Sequence, residues 1–272
     1  MKIAPTPRVI YGKNPLAEVV CQIRFQHVEI SSSALEKLQQ RFAEVGHSQR
    51  NNETSFNFVM ESAQDGAPPV PRASAGDTIY HFAKADGASK VSVAPEFIAY
   101  TSTNYRNWDE FLPELLSAVA ALNGEVGTLR VNRIGLRYKD VIERSVLGLD
   151  GTPWHELIKP FLLGPLAYDA LSEKGQLDED SVDSQVSQSL IRLDECKLLL
   201  QSSLLTSLTD ASKAFLIDAD FFHEMDGTEE CGNVVESSGE LEALLETLHT
   251  NAGALFRRAI TEKLHDSLSP QQ

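Results

Sequence analysis

Two short stretches place arginines in the middle of apparent strands: Ile23-Arg24-Phe25 and Arg133-Ile134-Gly135-Leu136-Arg137-Tyr138. In both, apolar residues alternate with other types, which is the period of a strand with one buried face. Gln22, Arg24, Arg133 and Arg137 therefore share the face opposite the apolar side. A third stretch, Ile217-Asp218-Ala219-Asp220-Phe221, alternates in the same sense and offers two carboxylates. Guanidinium–carboxylate forks are among the stronger polar pairs, and an unpaired guanidinium is costly to bury. Two chemistries fit. One is a salt-bridge network of these arginines with Asp218 and Asp220 that ties the two halves of the chain together. The other is a pocket in which Arg24, Arg133 and Arg137 bind an anionic group.

Asp218 and Asp220, with His223, Glu224 and Asp226 nearby, also resemble oxygen ligands for a hard cation. Their spacing fits no EF-hand, and a strand end running into an acidic loop accounts for them, so no metal ligand is assigned. The seven histidines are scattered, without the His-x-x-x-His or His-Glu-x-x-His spacing that zinc hydrolases need. There is no Gly-x-Ser-x-Gly elbow and no phosphate-binding glycine loop. No catalytic residue is named, no cofactor is expected, and enzymatic activity ranks third among the function classes. His249 follows a core leucine and reads as a helix-flank side chain. Tyr105 and Trp108 read as packing rather than a stacking platform, and Cys21 as core.

The charge distribution suggests a surface. Residues 1–142 contain 15 Lys+Arg and 15 Asp+Glu, whereas residues 143–272 contain 9 and 24, so the second half carries the whole net charge of -15. Such a surface repels phosphate, which argues against nucleic-acid binding through that half. It suits a solvated acidic face, or a docking site for a basic protein that uses Glu229, Glu230, Glu236 and Glu240. No apolar run approaches the ~20 residues of a bilayer span, and the start of the chain lacks the apolar stretch of a secretory signal. Three widely spaced cysteines suit a reducing compartment, so a cytoplasmic location is expected.

The elements that must position these residues follow in chain order. Leu16–Phe25 is a strand, and Ser31 caps a helix carrying Leu35, Leu38 and Phe42. Strands are expected at Ser55–Met60, Thr78–Phe82, Lys90–Val93 and Phe97–Thr103, with Gln64–Asp77 a loop and Asp86-Gly87 a hairpin turn. Trp108, Phe111, Leu112, Leu115, Leu116, Val119 and Leu122 mark an amphipathic helix ending near Gly124. The order then restarts with Arg133–Tyr138, a helical stretch from Trp154 to Leu163 and an acidic mobile loop from Ser172 to Ser184. Strands follow at Val186–Leu193, Lys197–Leu205 and Lys213–Phe222, and a last helix begins near Gly239. The repeat offset is 113 residues, from Ile23-Arg24-Phe25 to Leu136-Arg137-Tyr138. The expected fold is α+β: a duplicated strand–helix–strands–helix unit, with an antiparallel sheet and helices on one face. Residues 1–142 form a neutral half and 143–272 an acidic one, in one two-lobed unit. The TATA-binding-protein type of fold offers an analogy of topology only.

Several stretches occur together in one order: Asn14-Pro15-Leu16-x-Glu18, Tyr105-x-x-Trp108-x-x-Phe111, Arg133-Ile134-Gly135-Leu136-Arg137-Tyr138, Asp218-Ala219-Asp220, and Leu248-His249 with Phe256 and Ile260-Thr261. Together they resemble a bacterial family of sporadic genomic distribution with no assigned reaction or ligand. The resemblance spans nearly the whole chain. A patchy distribution implies defence or toxin-neutralising neighbourhoods by association. The function expected first is a non-enzymatic protein-interaction or regulatory module with a protein partner, homodimerisation being left open. The alternative is an anion or small-ligand sensor that uses the arginine-bearing sheet face.

Overall fold

In the computed structural model, the described residues are 1–61, 70–167, 178–207, 212–225 and 238–271, with backbone alone for 55–61, 70–75 and 238. In chain order the main elements are β1 (Ile10–Tyr11), β2 (Leu16–Phe25), α1 (Ser32–Glu44), β3 (Gln49–Glu61), β4 (Val70–Ala83), β5 (Ser89–Ala94), β6 (Phe97–Ser102), α2 (Trp108–Val126) and β7 (Val131–Glu143). Then come α3 (Arg144–Leu147), α4 (Pro160–Leu163), β8 (Gln185–Arg192), β9 (Lys197–Thr206), β10 (Lys213–Glu224), α5 (Ser238–Ala259), α6 (Glu262–Ser267) and β11 (Pro270–Gln271). Nine strands form one antiparallel sheet in the order β3-β4-β5-β6-β2-β7-β10-β9-β8. The α+β class and the helices packed on a large antiparallel sheet agree with the sequence reading.

The two arginine-bearing strands, β2 and β7, lie side by side at the centre, with Cys21 opposite Leu136, Gln22 opposite Gly135 and Ile23 opposite Ile134. Gln22 and Gly135 are 113 positions apart, the same as the repeat offset, so a two-fold axis relating β2 to β7 would pass through that pair. On either side of it the strands run outward as β6-β5-β4-β3 and β10-β9-β8. The second unit opens with β7, so a division after residue 142 cuts this strand.

Alternation decides which face is buried. Val19, Cys21, Ile23 and Phe25 of β2 join Ile134, Leu136 and Tyr138 of β7 and Phe215, Ile217 and Phe221 of β10 in one core with Leu115, Val119 and Leu122 of α2 and Leu241, Leu245 and Leu248 of α5. Burying side chains of this size stabilises by about 1.5–3 kcal/mol each. The opposite face carries Arg137 and Lys139, and toward the β8 edge Val186 and Leu190, both 64% exposed. Among the described residues, no helix is long and apolar enough to cross a membrane.

Four local expectations need correction. Residues 70–77 are strand rather than loop: β4 starts at Val70 and pairs with β3 from Val70 opposite Glu61 onward. Pro71 sits near the hairpin end, where its missing N–H costs little, and pairing carries the small residues behind it. Trp154–Leu163 is not one helix, because Pro160 holds Lys159 extended (φ -69°, ψ 146°) and splits the stretch into a 3-10 turn at Trp154–Glu156 and the one-turn α4. α2 continues past Gly124 to Gly127, whose φ of +83° ends it. Within Ser172–Ser184 the described part is anchored: Glu179 pairs with Arg144 at 3.0 Å and accepts the Trp154 backbone N–H at 2.5 Å.

Candidate functional site

The outer sheet face is a ladder of ion pairs across the central strands. Arg137 donates from Nε and Nη2 to the two oxygens of Asp218, at 2.7 and 2.5 Å. Arg133 donates from Nη2 to Asp220 Oδ2 at 2.7 Å, and Lys139 bonds Glu18 across β2 and β7. Arg133 lies along its own strand to reach Asp220. A Cβ on Gly135 would stand 2.5 Å from Arg133 Nη1, so the glycine is what lets the guanidinium cross, and the ring of Phe222 lies 4.4 Å from its Cζ. The hydrogen bonds that Arg137 donates to Asp218 raise the Arg137 pKa, while burial pushes the Asp220 carboxyl up despite the attraction of Arg133.

Of the six face residues read from the sequence, the structure therefore joins Arg133 and Arg137 to Asp220 and Asp218. Gln22 sits among them, opposite Gly135. Arg24 stands at the exposed end, 3.9 Å from Glu96. Glu229, Glu230 and Glu236 lie outside the described residues, as does Asp226, and Glu240 is exposed in the first turn of α5. Glu224 is taken by Lys197 at 2.5 Å. A His27, Asp77 and Glu96 cluster lies at the Arg24 end, all three residues exposed.

The inner face holds a different site. A cavity of about 180 Å³ lies between β7, α5, the Tyr105–Asn107 turn and the N-terminal strap that includes β1. Each wall has a local cause. Asn14 Oδ1 accepts from Leu16 N while its Nδ2 donates to the Tyr105 carbonyl at 3.1 Å, and the Pro15 carbonyl accepts from Val141 N at 2.9 Å. These bonds fix the strap and the turn to the start of the central strands. β1 pairs with β11, and the Tyr11 ring meets Phe256 edge-on at 5.7 Å while its hydroxyl bonds His265 Nδ1 at 2.9 Å. α2 is clamped to α5 by Trp108, which stacks on His249 at 4.4 Å and 6° and donates from Nε1 to Glu246 at 2.7 Å.

Tyr138 and Asp140 of β7 form the floor. The Tyr138 hydroxyl is 2.8 Å from His249 Nδ1. Burial, helped by Arg8, lowers the His249 pKa to about 4, so the ring is neutral at pH 7, and its tautomer sets which of Nδ1 and the Tyr138 hydroxyl donates. Asp140 is 5% exposed and lines the cavity, and among the described residues no donor bonds its carboxyl. Burial first, and the negative charge of Asp218 second, push it up to about 8. A carboxyl in this state can exchange a proton near neutral pH, or ionise against a cation that docks beside it. The cavity walls contain no cysteine, serine or lysine.

Tyr105 and Trp108 pack as their spacing suggests, whereas His249, read as a helix-flank side chain, stacks on Trp108 and with Tyr105 lines the cavity, and Asp140 was not singled out. Its signal was present in the sequence. Ile134, Leu136, Tyr138, Asp140 and Ile142 share the inward parity of β7, and a carboxylate among them has to be explained.

Two measurements check this geometry. A double-mutant cycle of Arg137→Ala with Asp218→Ala by urea unfolding should return a coupling of about 1–3 kcal/mol, and additive losses would show that the fork contributes nothing. An unfolded aspartate ionises near 3.8 and the folded Asp140 near 8. Between those values only the native state holds the proton, so stability falls as pH rises through that window. Asp140→Asn should therefore gain in Tm over the wild type as pH rises from 4 to 8, with His249 titrating in both proteins. A gap that stays constant with pH would place Asp140 in water. Compared with known protein families and with curated proteins, the chain matches none.

Proposed function

We propose that the protein is a non-enzymatic, ligand-responsive module in which a small molecule occupies the cavity over Tyr138 and Asp140. The observation that carries this reading is the buried carboxyl that faces the cavity without a protein donor. Proteins pair their buried polar groups, and an orphan at a cavity wall is satisfied by what enters the cavity. Binding is favoured over covalent chemistry because the walls lack a strong nucleophile. An occupant would touch the strap, the α2 entry and α5 together, so ligand binding would tighten the packing of the two chain ends. This keeps the sensor function anticipated from the sequence but moves it to the opposite face of the sheet, since the arginines there already hold carboxylates. Cys21 and Cys196 are buried free thiols, in keeping with a reducing cytoplasm.

Gly253 lines the cavity, and a Cβ there meets nothing within 4 Å, so Gly253→Trp can fill the space without disturbing the core. In a thermal-shift screen of small molecules, ligands should raise the Tm of the wild type and not of this variant. Equal shifts in both proteins, or none in either, would contradict the reading.

A protein-interaction role is the second reading, favoured by the exposed acidic run Glu240, Glu242 and Glu246 along α5. In that case reversal of Glu240 and Glu242 to lysine should weaken capture of a basic partner and remove its salt dependence. Capture that does not change on reversal would exclude this surface.

A further inference from the structure

Resting on the cavity reading above, we propose that the ligand is a small organic ammonium compound whose charged nitrogen pairs with Asp140 and whose hydrocarbon body lies against Tyr11, Tyr138 and Phe256. Two features of the cavity point to this chemistry, and a third limits the number of charges the ligand can carry. The first is the unpaired carboxyl at its floor, which a cationic donor satisfies with both charge and hydrogen bonds as it ionises, whereas a carboxylate head group would gain no ion pair from it. The second is the wall: three aromatic rings offer π faces and edges that attract an organic cation and cover its apolar part. A bare divalent metal suits the site poorly, because it wants several oxygens and, of the two carboxylates in the lining, Glu246 already accepts from Trp108, which leaves Asp140.

The third feature is the rim. Arg8 and Arg106 line the cavity and are exposed, so the approach is positively charged, while Arg257 is held by both oxygens of Glu262 at 2.6 Å. Behind the two exposed arginines lies one carboxyl without a donor, Glu246 of the same lining being bonded to Trp108; this favours a monoamine over a diamine, whose second ammonium would have to sit among the arginines. The size agrees. An apolar cavity of ~150 Å³ holds benzene, so about 180 Å³ accommodates a single ring or a short chain with its ammonium group.

The test is calorimetric titration of the full chain with benzylammonium, butylammonium, 1,4-diaminobutane, benzyl alcohol and benzoate. The two monoamines should bind the wild type, at least about tenfold more weakly to Asp140→Asn, and more tightly than the diamine. If Asp140→Asn does not fold, Asp140→Ser carries the same comparison. Monoamine binding that Asp140→Asn leaves unchanged would overturn the assignment to Asp140, and tighter binding of the diamine would overturn the role of the rim. If benzyl alcohol or benzoate binds as well as benzylammonium and Gly253→Trp abolishes it, the ammonium class is wrong while the cavity reading stands. If no small molecule binds or stabilises the protein, both fall.

Discussion

The antiparallel pairing of β2 with β7 sets the facing of every side chain in the sheet. Because side chains alternate with a period of two, a slip of one residue in that pairing would turn Arg137 and Lys139 inward and Asp140 outward. The observed register prevents this on both sides at once. The inner rows Cys21–Leu136 and Ile23–Ile134 close the core, and the outer pair Glu18–Lys139 is satisfied only when β2 and β7 align this way, as Arg137–Asp218 and Arg133–Asp220 are for β7 and β10. The charges on the outer face therefore act mainly as register marks. Exposed ion pairs contribute little stability, but Asp218 is buried, and the fork from Arg137 is what allows it to remain so.

The same register accounts for the cavity. β7 carries Tyr138 and Asp140 inward beyond the stretch where α2 and α5 cover the sheet with apolar side chains, and the gap is closed by the chain's own ends through the β1–β11 ribbon. The Trp108–His249 stack and the Trp108–Glu246 hydrogen bond hold α5 against the start of α2, and so fix the α5 wall of the cavity. The two halves thus contribute differently. The first supplies the turn and the strap, and the second supplies the floor and the α5 wall, along with the excess negative charge.

Much of this was legible in the sequence, for definite reasons. Alternation placed Arg24, Arg137, Asp218 and Asp220 on the face away from the core, because period two survives any uncertainty about strand order. The 3.6-residue stripe from Trp108 to Leu122 showed the longest helix of the first half. What could not be read was distance across the fold. Nothing local says that Arg137 reaches Asp218, that the 113-residue offset coincides with a direct Gln22–Gly135 pairing, or that Trp108 meets His249. Asp140 was visible as an inward-parity carboxylate, but apolar neighbours in sequence do not reveal whether a partner waits in space. Residues 70–77 misled because Pro71 and Gly76 look like loop until β3 is there to pair with them.

A carboxyl on the inner face of β7 is kept from bulk water and, among the described residues, left without a donor, so that something else can meet it. The most direct measurement is the ¹³C NMR titration of the Asp140 side-chain carboxyl in the ligand-free protein. The account predicts a midpoint near 8. A midpoint near the ordinary aspartate value of about 4 would show the group solvated or paired, and would remove the basis for the cavity as a binding site.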